Sequence, residues 1–392
     1  MKKNVYFCCM MLLSINATAQ LEMDDHNWEL FFVDDFSGNR GWNATLWEDQ
    51  NFDESNYVPL WKCFADSYWG SGVISKKATH LHQAYQKDNV SFINGTLRLH
   101  GEYISDTPLT CGLGYSPAPW IKYHHYCDPP EGQHKAVFYR SGIIESIEKI
   151  KYGYFEIKCK LPFHPGSFPA FWLYDNSCDD NYYEEIDIME YSYGSSIGNG
   201  TPNKYSHGFL LDKHDCACPD PLISYGKIKN LPAGSDITDW QIYGCEWTPG
   251  RITWYLNGSI IDDYYDLDSV PSHPLTLIAN YAINNGAVSG TYPNQTPTWR
   301  SENNMVIDYV KVLQLKCDCE NDTYITNENE LANYDHQVKH AVEIGSTTGI
   351  MALSTTDVTI RASDHVLVTG LFEVPIGAKL TMMVHPCPYP EE

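Results

Sequence analysis

An all-β sandwich is the fold class this sequence predicts, and three observations predict it. Long stretches with a helical apolar period are absent, and short runs of alternating character dominate instead. Two Asn-Gly pairs, Asn94-Gly95 and Asn257-Gly258, supply the strongest short-range hairpin signal between such runs. The composition completes the case: hydrophobic residues make up 43% of the 392, enough for a sizeable core, and aromatics 14%. That aromatic excess (28 Tyr, 11 Trp) suits strands, and it also suits sugar binding, where flat rings cover the apolar faces of pyranoses.

The clearest strands are Thr96-Leu97-Arg98-Leu99, Gly153-Tyr154-Phe155-Glu156-Ile157-Lys158, Ile252-Thr253-Trp254-Tyr255-Leu256 and Val306-Ile307-Asp308-Tyr309-Val310-Lys311-Val312. Many strands with few helices imply two packed sheets. Taken in chain order, residues 1–19 read as an export signal: Lys2 and Lys3, an apolar stretch from Val5 to Ile15, then Ala17-Thr18-Ala19 as the small-residue cleavage pattern. Residues 20–316 form the large β-sandwich. Within it, residues 101–135 hold five prolines and two cysteines with little alternation, the signature of a long surface loop stapled by Cys111 and Cys127. A polar stretch without period, residues 317–335, reads as a linker. Short apolar runs return in residues 336–392, a small β-rich module with little room for a core of its own.

The formal net charge of −24 disfavours nucleic acid and anionic membrane surfaces as partners and suits a neutral polymer. No segment after the signal reaches the roughly 18 apolar residues a membrane span needs. The expected protein is therefore exported, either secreted or periplasmic and cell-surface associated, and is expected to be a monomer. Removing the signal leaves eleven cysteines, which in an exported chain more often form disulfides than metal sites. The odd count leaves at least one thiol free or paired between chains.

The decisive segment is Tyr183-Glu184-Glu185-Ile186-Asp187-Ile188-Met189-Glu190-Tyr191. On a regular strand Glu185 and Asp187 share a face, whereas Glu190, an odd number of residues away, points to the other. A single β-bulge between Asp187 and Glu190 restores Glu190 to their side. Three crowded carboxylates are costly, so the arrangement points to function rather than stability. With the bulge, Glu185 and Glu190 lie about four strand steps, roughly 13 Å, apart at Cα. Side chains leaning inward can close to the ~5–5.5 Å carboxyl separation of a retaining glycosidase.

At this point the sequence resembles glycoside hydrolase family 16, in the bulged form of its E-x-D-x-x-E signature shared by laminarinases, agarases and carrageenases. The resemblance extends, in the family's order, over residues 28–315. Val33-Asp34-Asp35-Phe36-Ser37-Gly38 is similar to its opening D-E-F-x-G strand. Tyr139-Arg140-Ser141-Gly142-Ile143-Ile144, Tyr152-Gly153-Tyr154-Phe155-Glu156 and Phe168-Pro169-Ala170-Phe171-Trp172-Leu173 resemble three further segments. Glu246-Trp247-Thr248-Pro249 and Trp254-Tyr255-Leu256-Asn257-Gly258 resemble its E-W-T-P and W-Y-x-D-G pair, with Asn257 in place of the usual Asp.

The resemblance implies a jelly-roll sandwich with a substrate cleft across its concave sheet. It casts Glu185 as nucleophile, Asp187 as its assistant and Glu190 as acid/base. It places Trp172 on the cleft, His207 near the leaving-group side, and Arg140 and Trp247 among the further sugar contacts, Trp247 and Trp254 alternatively serving as core. No cofactor is implied for catalysis; a structural calcium on Asp35 and Asp308 is. The expected activity is endo-hydrolysis of β-1,3- or mixed-linked β-glucan. A galactan hydrolase of the agarase, porphyranase or carrageenase kind, a transglycosylase and an inactive carbohydrate-binding protein are the alternatives. The tail resembles a small β-module appended to exported bacterial proteins.

Overall fold

The computed structural model describes residues 28–36, 61–63, 83–85, 89–103, 109–110, 136–137, 139–177, 182–193, 200–212, 223–266, 268–283, 304–332, 334, 337–345, 351–352, 358–370, 372–376, 378–385 and 387. The signal region and the cysteines Cys111 and Cys127 lie outside these residues. Among the described residues no helix is long and apolar enough to cross a membrane.

Two antiparallel sheets face each other. One has eight strands, in the order Ser259–Tyr265, Arg251–Leu256, Gln241–Thr248, Gly153–Lys160, Asn304–Leu315, Thr96–His100 and Val90–Ile93, with Trp28–Asp34 also paired to Asn304–Leu315. The other has seven: Ile223–Asn230, Lys204–Asp212, Tyr182–Glu190, Ser167–Ser177, Leu275–Ile283, Ile143–Ile150 and Trp61–Cys63. Period-two alternation delivers one row of apolar side chains from each sheet into the space between them. Phe155, Ile157, Trp247, Trp254, Val310 and Val312 meet Phe171, Leu173, Ile186, Met189, Phe209 and Leu277 there, all buried in one continuous core.

Both Asn-Gly turns close hairpins. Asn94 and Gly95 have φ of 54° and 70°, Asn257 and Gly258 of 49° and 79°, the left-handed pair a two-residue turn of this hand requires. Asn257 also ties its hairpin to the neighbouring strand. Its Oδ1 accepts the Ile242 N–H at 2.8 Å and its Nδ2 donates to Gln241 Oε1 at 2.8 Å. An aspartate in its place has no donor for Gln241.

The tail departs from the sandwich in strand direction. Val338–Gly345, Val358–Thr369 and Leu380–Val384 pair in parallel, and begin 20 and 22 residues apart. Short strands Met351–Ala352 and Phe372–Glu373 between them pair in parallel as well. This is a stacked coil, each turn laid on the last around its own small core of Ile325, Val342, Ile344, Val358, Ile360 and Ala362. The stretch 317–335 is read from sequence as a linker, but its described strands pair with this coil. Cys317–Asp318 and Thr323–Ile325 pair with Val338–Gly345. Glu328–Ala332 is a helix whose first N–H groups, on Asn329 and Glu330, bond to the Asn327 side chain. A Cys319–Cys387 disulfide spans the unit.

Candidate active site

The expected bulge is present. Glu185, Ile186 and Asp187 stand opposite Leu210, Phe209 and Gly208, and the ladder resumes only at Glu190 opposite Ser206. On the other side Asp187 faces Trp172 while Met189 faces Phe171, so Ile188 is the extra residue. Ile186, Ile188, Met189 and Tyr191 all fill the core. Two consecutive core side chains, Ile188 and Met189, are what the bulge accommodates. Glu185, Asp187 and Glu190 are thereby left on the outer face of the seven-stranded sheet.

The register lays out that face. Across the middle run Gly226, Gly208, Asp187, Trp172 and Ile278; on one side of this row lie Ser206, Glu190, Ala170 and Asn280, and on the other Leu210, Glu185, Tyr174 and Thr276. Two paired glycines beside Asp187 leave bare backbone. Beyond it, Trp172 and Tyr174 lie with rings 5.3 Å apart, both buried in a small apolar cluster with Ile143, Ala170 and Ile278, and the Trp172 indole N–H is fixed by Asn280 Oδ1 at 2.8 Å. The register thus sets two paired glycines on one side of Asp187 and two aromatic rings on the other, with all three acids between them.

Electrostatics separate the acids. Burial pushes the Asp187 carboxyl well above the usual range, and the charges of Glu185 and Glu190 and a hydrogen bond to Glu185 push it further. Of the two hydrogen-bonded carboxyls, Asp187 is the one whose protonated form its surroundings favour. Burial, then the Glu185 charge, pushes Glu190 up to about 7, against the donation from Ser206 Oγ to Glu190 Oε2 at 3.2 Å. Carboxylates with such divided protonation suit acid/base work near neutrality.

Several expected site residues stand elsewhere. His207 alternates with Ser206 and Gly208 and so faces the core. It is 2% exposed, and its Nε2 donates to Asp262 Oδ2 at 2.9 Å, which corrects its assignment as a sugar contact. Trp247 is fully buried with its N–H on the Pro271 carbonyl at 2.9 Å, so it is core as well. Arg140 lies on the strand Tyr139–Ser141, with its side chain outside the described residues. Asp35 and Asp308 do not fit calcium: the Lys158 ammonium sits 2.6 Å from Asp308. No group of three or more His, Cys, Asp or Glu able to hold a metal occurs among the described residues, where a calcium needs six to eight oxygens.

Sequence reading passed over four residues that shape the site. Ser206, Tyr174 and Asn280 act on the outer face as described. Glu184, adjacent to Glu185 but turned to the other side, is 1% exposed. It accepts the Ser272 and His273 N–H groups and bonds His273 Nδ1, all at 2.9 Å, and so moors the strand of the three acids to that loop.

The chain belongs to the glycosyl hydrolases family 16, whose model matches residues 77–311. It is 30% identical over 179 residues to a β-glucanase of Rhodothermus marinus, covering 41% of this chain and 57% of that one. It is 28% identical over 182 residues to an endo-1,3-1,4-β-glycanase of Rhizobium meliloti (46% and 34%). A κ-carrageenase of Pseudoalteromonas carrageenovora is 28% identical over 146 residues (35% and 36%). The matches thus span between about a third and just over half of these relatives' own length. Among solved structures, porphyranase B of Zobellia galactanivorans superposes with a TM-score of 0.52 at 15% identity, covering 74% of this chain and 93% of that one. The κ-carrageenase gives 0.51 at 20% identity, with 74% and 95% covered. At such identities the likeness is one of fold, the two-sheet jelly roll.

Proposed function

We propose that the protein is an exported, endo-acting, retaining hydrolase of β-linked polysaccharide, with β-1,3- or mixed-linked β-glucan as substrate. The observation that carries the reading is the bulge, which gathers Glu185, Asp187 and Glu190 on one face with Glu190 near pKa 7. Glu190 protonates the departing glycosidic oxygen while Glu185, hydrogen-bonded by Asp187, attacks the anomeric carbon from the opposite side. The bond to the leaving sugar breaks as the bond to Glu185 forms. Glu190, now a carboxylate, takes a proton from water, whose oxygen displaces Glu185 and releases the sugar with its configuration kept. Trp172 and Tyr174 stack the sugar, and the Gly208–Gly226 floor lets the polymer pass across the sheet.

A β-glucan is favoured over a galactan by the β-glucanases of Rhodothermus marinus and Acetivibrio thermocellus among the relatives and by a net charge of −24, which suits a neutral polymer. The test is incubation with laminarin, mixed-linkage glucan, agarose, porphyran and κ-carrageenan, following reducing ends, product size and anomer. New β-anomeric ends on mid-sized laminarin fragments are expected. Cleavage of a sulfated galactan with laminarin untouched overturns the substrate, and α-anomeric ends overturn retention. Glu185→Gln and Glu190→Gln each keep side-chain size while removing the nucleophile or the proton donor. Each should lower kcat at least ~10³-fold with the fold intact by circular dichroism.

A further inference from the structure

A bulge frees a strand from strict register at the point where this site needs it fixed. The skipped step at Ile188 can slide along the strand, and every one-residue slide turns Asp187 or Glu190 to the wrong face. Something outside the ladder must hold it. Behind the bulge, on Arg251–Leu256 of the opposite sheet, Trp254 donates its indole N–H to the Asp187 carbonyl at 3.0 Å. Asp187 is the last residue in register before the skipped step.

The donor is itself clamped. Trp254 is fully buried, stacked on Tyr225 (5.8 Å, 22°) and tilted against His207 (5.1 Å, 43°). Both rings are pinned by one carboxylate, Asp262, which accepts from Tyr225 at 2.7 Å, His207 at 2.9 Å and Lys227 at 2.8 Å. Asp262 is the cross-strand neighbour of Trp254 itself. Burial raises the Asp262 pKa, but donation from Lys227, His207 and Tyr225 outweighs it and brings the carboxyl to about 2, so the clamp stays charged at any working pH. His207, which sequence resemblance assigns to the sugar, therefore serves the site from behind.

We propose that Trp254 is a positioning residue: its indole N–H on the Asp187 carbonyl fixes where the bulge falls and so keeps Glu190 on the same face as Glu185. The proposal rests on the hydrolase reading for its kinetic arm only. Trp247 supplies the matched control, because it is an equally buried indole donating to a backbone carbonyl, that of Pro271, next to the loop that holds Glu184 and not to a residue of the bulge itself.

Trp254→Phe and Trp247→Phe each delete one such donor. On the wild type's best polysaccharide, Trp254→Phe should lower kcat between about tenfold and 100-fold with KM within about twofold, as misplacement of a reacting group does. Trp247→Phe should hold kcat within about threefold. Independently of activity, hydrogen exchange resolved to residues 187–191 by overlapping peptides should be faster in Trp254→Phe and unchanged in Trp247→Phe. Equal kcat losses and equal exchange in the two variants overturn the proposal. A wild type inactive on every polysaccharide overturns the hydrolase reading, while the exchange comparison still tests the brace. If Trp254→Phe fails to fold, 3-benzothienylalanine at 254, which keeps the ring outline and replaces N–H by sulfur, carries the same comparison.

Discussion

Glu190 shows how one side chain can set both the pH range and a stability cost. With its pKa near 7, the acid form is lost as pH rises through neutrality, so kcat/KM should fall on an alkaline limb there. Ser206 lowers that pKa by its hydrogen bond, and Ser206→Ala should move the limb to higher pH in a full pH–rate profile. Stability follows from the same shift. A carboxyl raised from 4.5 in the unfolded chain to about 7 in the fold binds more protons when folded. Its contribution is present below pH 4.5 and is lost as pH rises through 7. Glu190→Gln cannot ionise, so it should be more stable than wild type at pH 8 and lose that advantage at pH 4, as denaturant melts at the two values will show.

At the scale of the strand and its neighbours, the paired glycines carry a test of the cleft. A Cβ on Gly208 would collide with the Tyr225 carbonyl and crowd the Gly226 Cα at 2.9 Å, so Gly208→Ala should cost about 1–3 kcal/mol in denaturant unfolding. A Cβ on Gly226 meets nothing closer than 3.7 Å. Gly226→Leu should fold normally and raise KM for polysaccharide about tenfold by obstructing the floor, measured against unchanged melting. The strands and the bulge were legible because both are local. Alternation, an Asn-Gly pair and the parity of Glu185, Asp187 and Glu190 are written in consecutive residues. What escaped the sequence depends on the second sheet. His207 differs from Ser206 only by one step of phase, and resemblance alone put it at the sugar. The Trp254 bond joins residues 67 apart across the core. The parallel tail was equally hidden, since its short strands find partners some 20 residues away and carry no hairpin turn.

For the molecule as a whole, the sandwich and the stacked tail have separate cores and separate supports. The Cys319–Cys387 bridge closes 68 residues of sequence, worth at most about 4 kcal/mol in the chain-entropy model. Cys319→Ser should lower the melting temperature of the tail, seen by limited proteolysis of residues 317–387, and leave polysaccharide hydrolysis intact. The passage from one unit to the other is short. The sandwich strand ends at Leu315, and the Val338 N–H already bonds the Lys316 carbonyl at 2.9 Å. His385, fully buried at the far end of the tail, packs edge-on against Tyr152 of the sandwich, 5.2 Å between rings. Held at both its beginning and its end, the tail is a bracket rather than a leash. Anything fastened to the tail would therefore also set the bearing of the sheet face that carries Glu185, Asp187 and Glu190.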